Sequence, residues 1–583
     1  MLKKAALYFN TAKYLKPVQI MYQTKNRVFR SQGAWRTEHK NFKKEASVFL
    51  PELDEDPKYL ARFHVEKLSD GEAELLHESH KIVCSTEQGY GKFSSGSQAN
   101  AEVPSPQGDR WNIPTASHLW NFNLHYLEFL IPLAVTFAKT KNQKYLEGWQ
   151  RYVSSWMANT EADAFHPYTI SLRVVNLLVC MEVIGDALDP DIKSRVIDSI
   201  YNQYKYLCDH QELALLGNHY FENLKAIIIC SRLFGEDEVF KNTWKDFAAQ
   251  LNEQILPDGL HFERSLMYHK LILEDMLRIY RVVGKSEREE LKLFISRAAT
   301  ALASIELNFS RTPLFNDAGD NVAKPAGALI KAVENELNLI IKAGQREFAY
   351  AGYYRLESGR ASLLFDAGEI GPSYIPGHSH NDCLSFEMSV NGRMALVNSG
   401  TYAYQSDRRG FFRSCAAHNT VMVDDHEQNE LWGEHRAGRR MRKVRARQEG
   451  NAVAGSFTSY QGDQITRRIA EKDAGFLITD RAKRKGFHTL RQFFHFAPGI
   501  EPEWNGNKVV TDALTLAVGK GSAVIIHKDG DIMFDNSSAD IHEDRDITFY
   551  SDEFGRMQQK KVLEVQTPFK DEIKRKVRIQ IRG

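Results

Sequence analysis

No two cysteines in this 583-residue chain stand in a CxxC spacing. Cys84, Cys180, Cys208, Cys230, Cys383 and Cys415 are scattered, so neither a zinc ribbon nor a thioredoxin-type motif is indicated. The spacing reads as free buried thiols, which leans toward a reducing compartment. An excess of one charge is also missing. Lys and Arg number 76 against 75 Asp and Glu, leaving a formal net charge of +1. The whole molecule therefore does not announce a polyanion partner, although a local patch can still bind one. No apolar stretch is long enough to span a bilayer. The opening apolar run, Ala5 to Phe9, stops at Asn10, too short for the core of a secretion signal, and no small-residue cleavage site follows. These absences predict a chain with no integral membrane segment and no nucleic-acid partner. They place it in the cytoplasm, or in the periplasm or outside the cell if an upstream segment is missing.

What is present is an ordinary globular composition, 43% hydrophobic and 26% charged, in a chain long enough for more than one core. Residues 1 to about 45 are basic with interleaved aromatics and partly helical spacing. That pattern fits a surface-associating amphipathic segment, or more commonly a helix packed on the main body. Residues 46 to about 110 read as irregular, with a Gly/Ser/Pro-rich linker over 89–108. Apolar segments of helical length then follow near 118–140, 142–158, 168–186, 190–210, 218–234, 238–256, 263–284, 286–306 and 325–343. Short polar joints between them predict antiparallel helical hairpins, and the lack of a fixed period argues against a solenoid. A ring of such hairpins, an incomplete α/α toroid, fits. From about Phe348 short alternating runs separated by Gly, Asn and Asp predict an antiparallel β-sandwich. The predicted divisions are 1–110, 111–345 and 346–583.

The densest chemistry lies between Pro376 and Thr420. Gly377-His378-Ser379-His380-Asn381-Asp382 precedes an apolar run, Asn391-Gly392 joins it to a second, and Asn398-Ser399-Gly400 ends that one. Two such runs joined by Asn-Gly predict a β-hairpin. His418, in Ala417-His418-Asn419-Thr420, opens a third run. In extended chain, residues two apart point the same way, so His378 and His380 are expected to face one cavity. If the three strands are neighbours, His380, Asn398 and His418 gather at their ends and offer metal-ligand atoms. A polar strand end with histidines and no ion is the other reading of the same spacing.

Two helical motifs stand out. In Gly217-Asn218-His219-Tyr220-Phe221-Glu222-Asn223, the spacing puts Asn218 and Glu222 on one helical face, with Asn218 as a simple N-cap the plainer alternative. Pro257-Asp258-Gly259 introduces a helix in which His261, Arg264 and Tyr268 are expected to line one side. A core tyrosine is the plainer reading of Tyr268.

Taken together, Gly-His-Ser-His-Asn-Asp-x-Leu-Ser-Phe, Asn-Ser-Gly-Thr-Tyr and Ala-His-Asn-Thr-Val resemble the C-terminal half of the heparinase II/III family of polysaccharide lyases, related in architecture to some alginate lyases. The helical motifs, together with Trp120 to His125 and His166 to Asn176, resemble that family's helical half, and the likeness runs from about residue 117 to 530. It implies an α/α toroid followed by a β-sandwich and β-elimination on a uronate-containing polymer, heparin or heparan sulfate-like or a bacterial exopolysaccharide. It implies catalytic roles for Asn218, His219, Tyr268 and His378. Glu222, Arg264, Arg173 and His125 become candidates for binding the anionic polysaccharide. It also implies a structural divalent ion, zinc or calcium, at His380, Asn398 and His418. Zinc-containing relatives have Asp where this chain has Asn398, a departure that weakens the implied site.

Elimination needs the uronate carboxylate neutralised, a base for the C5 proton and an acid for the departing O4. Asn218 and His219 are expected to neutralise. Tyr268 is expected to protonate the leaving group and act as base on one C5 epimer, with His378 as base on the other. Tyrosine, with a reference pKa of about 10, needs a nearby positive charge for this, from Arg264 or a charged histidine. The basic run Arg436, Arg439, Arg440, Arg442, Lys443, Arg445 and Arg447 reads equally as a groove wall or a solvated strand face. Two other functions remain open. One is a glycoside hydrolase, needing two paired carboxylates, with Asp258, Glu263 and Asp317 available but unpaired in the sequence. The other is a non-catalytic protein of polysaccharide binding or biosynthesis.

Overall fold

A computed structural model describes residues 2–28, 37–43, 47–82, 111–159, 162–528, 531–535 and 547–582. The stretch read as a linker, 89–108, lies outside them. The chain divides into two compact units. One, the helical unit, comprises residues 24–248 and 275–288; the other, the sheet unit, comprises 1–23, 249–274 and 289–583. Helix gives way to strand between Leu337 and Glu347, whereas compactness divides the chain at other points.

In the helical unit the predicted joints act as caps. Helix α1 (Leu130–Thr140) ends on Lys141 in the left-handed region at φ 57°, and Asn142 then accepts from the Lys144 amide to start α2 (Gln143–Ala158). Asp189 caps α4 (Pro190–Asp209), whose first residue is proline, and Gly235 at φ 70° ends α5 (Gly217–Phe234). Between α2 and α4 runs α3 (Pro167–Ile184), packed against α1, α4 and α5. The segment expected as one helix over 118–140 is two, because Leu127 takes φ 52° and ends the first at Tyr126. By length and apolar composition α3 qualifies for crossing a membrane, contrary to the expectation that no stretch would. It is 67% buried among its neighbours and carries the buried Arg173, which is the situation of a core helix. The region expected to be irregular before residue 83 contains short helices and a hairpin pairing Glu72–Leu75 with Glu78–Lys81.

Among the described residues the sheet unit is built on two large antiparallel sheets, five- and eleven-stranded, beside two two-stranded ribbons. The smaller orders Glu347–Phe348, β1 (Tyr353–Ser358), β2 (Ala361–Asp366), β3 (Phe386–Val390) and β4 (Arg393–Leu396). Asn391 and Gly392 both have positive φ, as the two-residue turn between β3 and β4 requires. Val421–Val423, β5, does not join this hairpin. It pairs with a strand of the larger sheet. That sheet runs β6 (Arg442–Glu449), β7 (Ala452–Thr458), β8 (Gln464–Glu471), β9 (Gly475–His495) and β10 (Val562–Ile581), and continues through Leu514–Val518. Strands β9 and β10 are 21 and 20 residues long. Inward residues of both sheets, among them Leu363, Phe365, Phe386, Phe457, Ile465 and Ile478, form one core. The sheets approach so closely at Gly455 that a Cβ there would lie 2.4 Å from Leu384 and 2.8 Å from Ala367. One ion pair sits in this core: Arg467 on β8 faces its cross-strand partner Asp480 on β9 at 2.7 Å and donates to the Leu384 and Asn419 carbonyls. The N-terminal helix Leu2–Ala12 packs on the sheet unit. Trp432 donates to Thr11 Oγ1 at 3.0 Å and meets Tyr8 edge-on.

Candidate active site

The site in the sheet unit is built around Asp317, which lies in a loop before the first sheet. The loop 314–317 is laced to the segment 376–382 by main-chain bonds. The Asp317 amide donates to His378 O at 2.9 Å, the Asn316 amide to Asp382 Oδ2 at 2.9 Å, and the His380 amide to Asn316 Oδ1 at 3.0 Å. The Asp317 carboxylate then receives both histidines, His378 Nδ1 at 3.0 Å on one oxygen and His380 Nε2 at 2.9 Å on the other. Residues two apart do converge, though on a carboxylate and not on an open cavity. Arg409 closes the cluster by binding both oxygens, one at 2.8 Å. Burial alone would raise the Asp317 carboxyl. Arg409 and the donated hydrogen bonds overcome it and hold the group well below the usual carboxylate range. Asp317 is thus anionic and can only accept, so His378 carries its proton on Nδ1 and His380 on Nε2.

Tyr268 enters from the first turn of the helix Leu266–Val282. Ser265 fixes that turn: its Oγ accepts from the Tyr268 amide at 3.3 Å and donates to the Asp317 carbonyl at 2.5 Å. The Tyr268 ring lies 4.0 Å from the His378 ring, centroid to centroid, and its hydroxyl is 2.9 Å from that of Tyr404. Arg409 sits 5.1 Å from the Tyr404 ring and feels the charge of both tyrosines. Glu263 Oε2 is 3.7 Å from His378 Nε2. His435 is edge-on to Tyr404 at 4.9 Å, and burial pushes its pKa down to about 4.

Beside this group His380 Nδ1 faces His418 Nε2 at 3.2 Å. His418 Nδ1 donates to the Ser414 carbonyl at 2.7 Å, so its Nε2 bears a lone pair, as does His380 Nδ1. Burial lowers the pKa of both, His380 to about 4 and His418 well below its ordinary value. Two lone pairs therefore face each other without a proton between them. With the Asp382 carboxylate they bring three ligand atoms within 4.8 Å of one another. The donor set fits a divalent cation: two imidazoles this far apart suit neighbouring positions on a tetrahedral zinc with bonds of ~2.0–2.1 Å. Calcium prefers oxygen ligands. Asn398, expected in this set, makes bonds of its own. Its Oδ1 accepts from the Asn419 amide at 3.1 Å and its Nδ2 donates to Leu314 O at 3.2 Å, so it is spent on joining loops. Asp382 offers a carboxylate beside the two imidazoles. His418 reaches His380 although β5 belongs to the other sheet, because the loops before β3 and β5 meet.

The remaining predicted residues divide. Arg264 does not lie on a helix with Tyr268. It takes φ 59° ahead of the helix and gives its guanidinium to the Glu369 and Tyr350 carbonyls. His261 is fully buried with Nε2 3.0 Å from Gln254 Oε1. The cation beside the tyrosines is Arg409, which sequence reasoning missed. Its only signal is the Arg408-Arg409 pair just after Tyr404. Asp258 is occupied by the Tyr350 and Ala351 amides, each at 2.8 Å.

In the helical unit, Asn218 is buried in the first turn of α5 behind Leu216, which is the N-cap in place of Asn218. His219 stays partly exposed, stacks near Tyr168 at 4.5 Å and holds Glu212 Oε1 at 2.9 Å. Glu222 is buried against Lys225. His125 and Arg173, expected at the substrate, are core residues with no exposed surface. Trp156 donates to His125 Nδ1, and Arg173 donates to Gln203 Oε1, His125 O and Ala164 O, joining three α-helices and the 3-10 helix Ala162–Phe165.

Residues 80–334 match the heparinase II/III N-terminus family and residues 341–579 the heparinase II/III-like C-terminal family, a reach wider at both ends than the motifs indicated. A heparin-sulfate lyase of Pedobacter heparinus is 24% identical over 388 residues, covering 58% of this chain and 56% of that one. One of Bacteroides thetaiotaomicron is 23% identical over 366 residues, covering 53% and 52%. The chain thus aligns with about half the length of these curated relatives. Among solved structures, a heparinase III has a TM-score of 0.68 at 14% identity over 97% of this chain and 91% of its own. A heparan sulfate lyase mutant from Pedobacter heparinus has a TM-score of 0.56 at 17% identity over 97% and 88%. These likenesses bear on the fold, helices followed by antiparallel sheets. With both halves of the sequence matched and the histidine-rich loop in place, the chain belongs to the heparinase II/III-like family.

Proposed function

We propose that the protein is a polysaccharide lyase that cleaves a uronate-containing chain of the heparin or heparan sulfate type by β-elimination. The observation that carries this reading is the contact of Tyr268 with His378, backed by Asp317 and Arg409. His378 donates Nδ1–H to an anionic carboxylate, which leaves Nε2 as the nitrogen to take a proton, the orientation a general base needs. Tyr268 has a neighbouring hydroxyl, that of Tyr404, and interacts electrostatically with Arg409, so it is placed to take or return a proton. In this reading Tyr268 protonates the departing O4 and serves as base for one C5 epimer, and His378 serves for the other. Asn218 and His219 neutralise the uronate carboxylate as the enolate forms. The names of the curated relatives support the substrate class.

Hydrolysis is the weaker reading. Asp258 is occupied by two amides and Asp317 by Arg409, so neither is free to act as one of two opposed carboxylates.

His380, Asp382 and His418 would hold a divalent cation, with zinc favoured over calcium. The ion would supply positive charge that clamps the loops before β3 and β5. Metal analysis of the purified protein should find about one equivalent, lost in His418→Ala. A protein that stays metal-free after zinc addition and dialysis would remove the ion from the scheme.

The function is tested by absorbance of the unsaturated uronate during incubation with heparin, heparan sulfate, hyaluronan, chondroitin, alginate and bacterial exopolysaccharides. A rise lost by ~10²–10⁴-fold in Tyr268→Phe and in His378→Ala is expected. Near-normal cleavage by Tyr268→Phe would refute the assignment. New reducing ends without absorbance would mean hydrolysis.

A further inference from the structure

The basic run from Arg436 to Arg447 is not one wall. Arg439 pairs with Glu430 at 2.7 Å, and Arg440 lies over Tyr14 and donates to the Ser373 carbonyl. Only its last part, on β6, continues into something larger. Residues directly opposite each other in an antiparallel sheet point to the same face, and the register of β6 to β10 can be followed across. One row is Arg445, Ser456, Thr466, Arg481 and Lys574; the next is Arg447, Ala454, Arg468, Thr479 and Lys576. The opposite face of the same strands carries Phe457, Ile465, Ile469, Ile478 and Val577 into the core, so these rows lie on the outer face.

Arg447 and Arg468 share Glu449. Arg445, Arg481, Lys574 and Lys576 are exposed and have no acidic partner among the described residues. The positions between them are small or hydroxylated: Ser456, Thr466, Ala454 and Thr479. With strands ~4.8 Å apart, the rows reach about 19 Å from β6 to β10, and lie ~7 Å from each other. In a molecule whose formal charge is +1, this face concentrates unpaired cations over a floor of small and hydroxylated residues.

We propose that the outer face of β6–β10 is a second binding surface for an extended anionic polysaccharide, laid across the strands along the two rows. This rests on the substrate class proposed above and does not involve Tyr268 or His378. Charge complementarity selects the occupant. A linear sulfated or uronate chain repeats its charge along its length, as the rows do, and its hydroxyls match Ser456, Thr466 and Thr479. A second grip on the polymer raises local substrate concentration without new chemistry.

The test is the fourfold variant Arg445→Ser/Arg481→Ser/Lys574→Ser/Lys576→Ser in the full chain, with an unchanged unfolding midpoint as the check on folding. Binding of fluorescent heparan sulfate chains is measured at several ionic strengths, and elimination is measured on a short oligosaccharide. With four cations removed, long-chain affinity should fall roughly tenfold. Its salt dependence should become shallower, and turnover of the short substrate should stay the same. Unchanged affinity and salt slope would overturn the proposal. So would an equal loss toward duplex DNA, because the face would then be a general polyanion surface. Tyr268→Phe should keep full long-chain affinity. If no polymer is eliminated by the native protein, the lyase reading fails while the binding result still decides this one.

Discussion

The two compact units bury charge in opposite ways. In the sheet unit one carboxylate, Asp317, is surrounded by donors: Arg409 and two imidazoles. In the helical unit one cation, Lys225, faces two carboxylates, Glu222 and, at 2.6 Å, Asp275. Burial acts on both. Around Asp317 the donors win and the group is held ionised. Around Lys225 there is one acid too many, and burial with the neighbouring Glu222 pushes Asp275 well above its ordinary range. An ionised carboxylate can hold an imidazole in one tautomer, which is what a base requires. Two carboxyls sharing one lysine mainly join helices. The same kinds of residue thus hold an anion among donors in one unit and a cation among acids in the other, and the ratio of donors to acids makes the difference.

Exchanging the charges tests that contrast. Asp317→Asn should have the largest effect. It leaves Arg409 buried without its counter-charge, a loss of about 3–5 kcal/mol, and it frees His378 to take the wrong tautomer. Chemical denaturation and the elimination assay should both collapse; a stable, active variant would show that Asp317 is not the hub. Lys225→Met should also cost about 3–5 kcal/mol, because two acids lose their cation. If it still folds, cleavage of a saturating substrate should stay within a few-fold of native. A selective loss of turnover with stability retained would make the helical cluster part of the chemistry.

Acid should act next. His269, His380 and His435 in the sheet unit are pushed by burial to about 4, against ~6.5 when unfolded. Between those values the unfolded chain binds the extra protons. Their contribution to stability is complete above about pH 6.5 and is lost as pH falls toward 4. Asp317, depressed, keeps its contribution until the pH falls below ~3.9. Asp275, raised, has the opposite sign and favours the folded state at low pH. The Tm should therefore drop by more than ~5 °C from pH 7.5 to 5.0. A flat profile would mean these histidines are not held neutral. The smallest effect belongs to Asp275→Asn. Glu222 still pairs with Lys225 in this variant, so the loss of stability should be smaller than in Asp317→Asn, and a loss as large as that of Asp317→Asn would erase the distinction between the clusters.

Local pattern made much of this legible. Helix limits near 142–158, 190–210 and 218–234 fall within two residues of the observed ones, since apolar periodicity and caps such as Asn142 and Asp189 act over a few residues. The Asn391-Gly392 turn was readable for the same reason. The long strands β9 and β10 were not: Arg481, Lys483 and Arg484, then Gly486 at a register shift, interrupt the alternation by which a strand is recognised. His125 and Arg173 look like ligand-binding residues by type, and only burial shows that they hold helices together.

By itself the sequence determined the order of helices and strands, the hairpin, the family motifs and the presence of Tyr268, His378, His380 and His418. Tertiary structure alone decided that Asp317 is the centre, that Arg409 is its cation, that Asp382 stands with the facing histidines, and that Arg445 and Lys574 share a face. Secondary structure follows from contacts three or four residues apart, and a chain reports those directly. Arg409 is 92 residues from the carboxylate it binds, and a meeting at that range depends on how the loops between them fold.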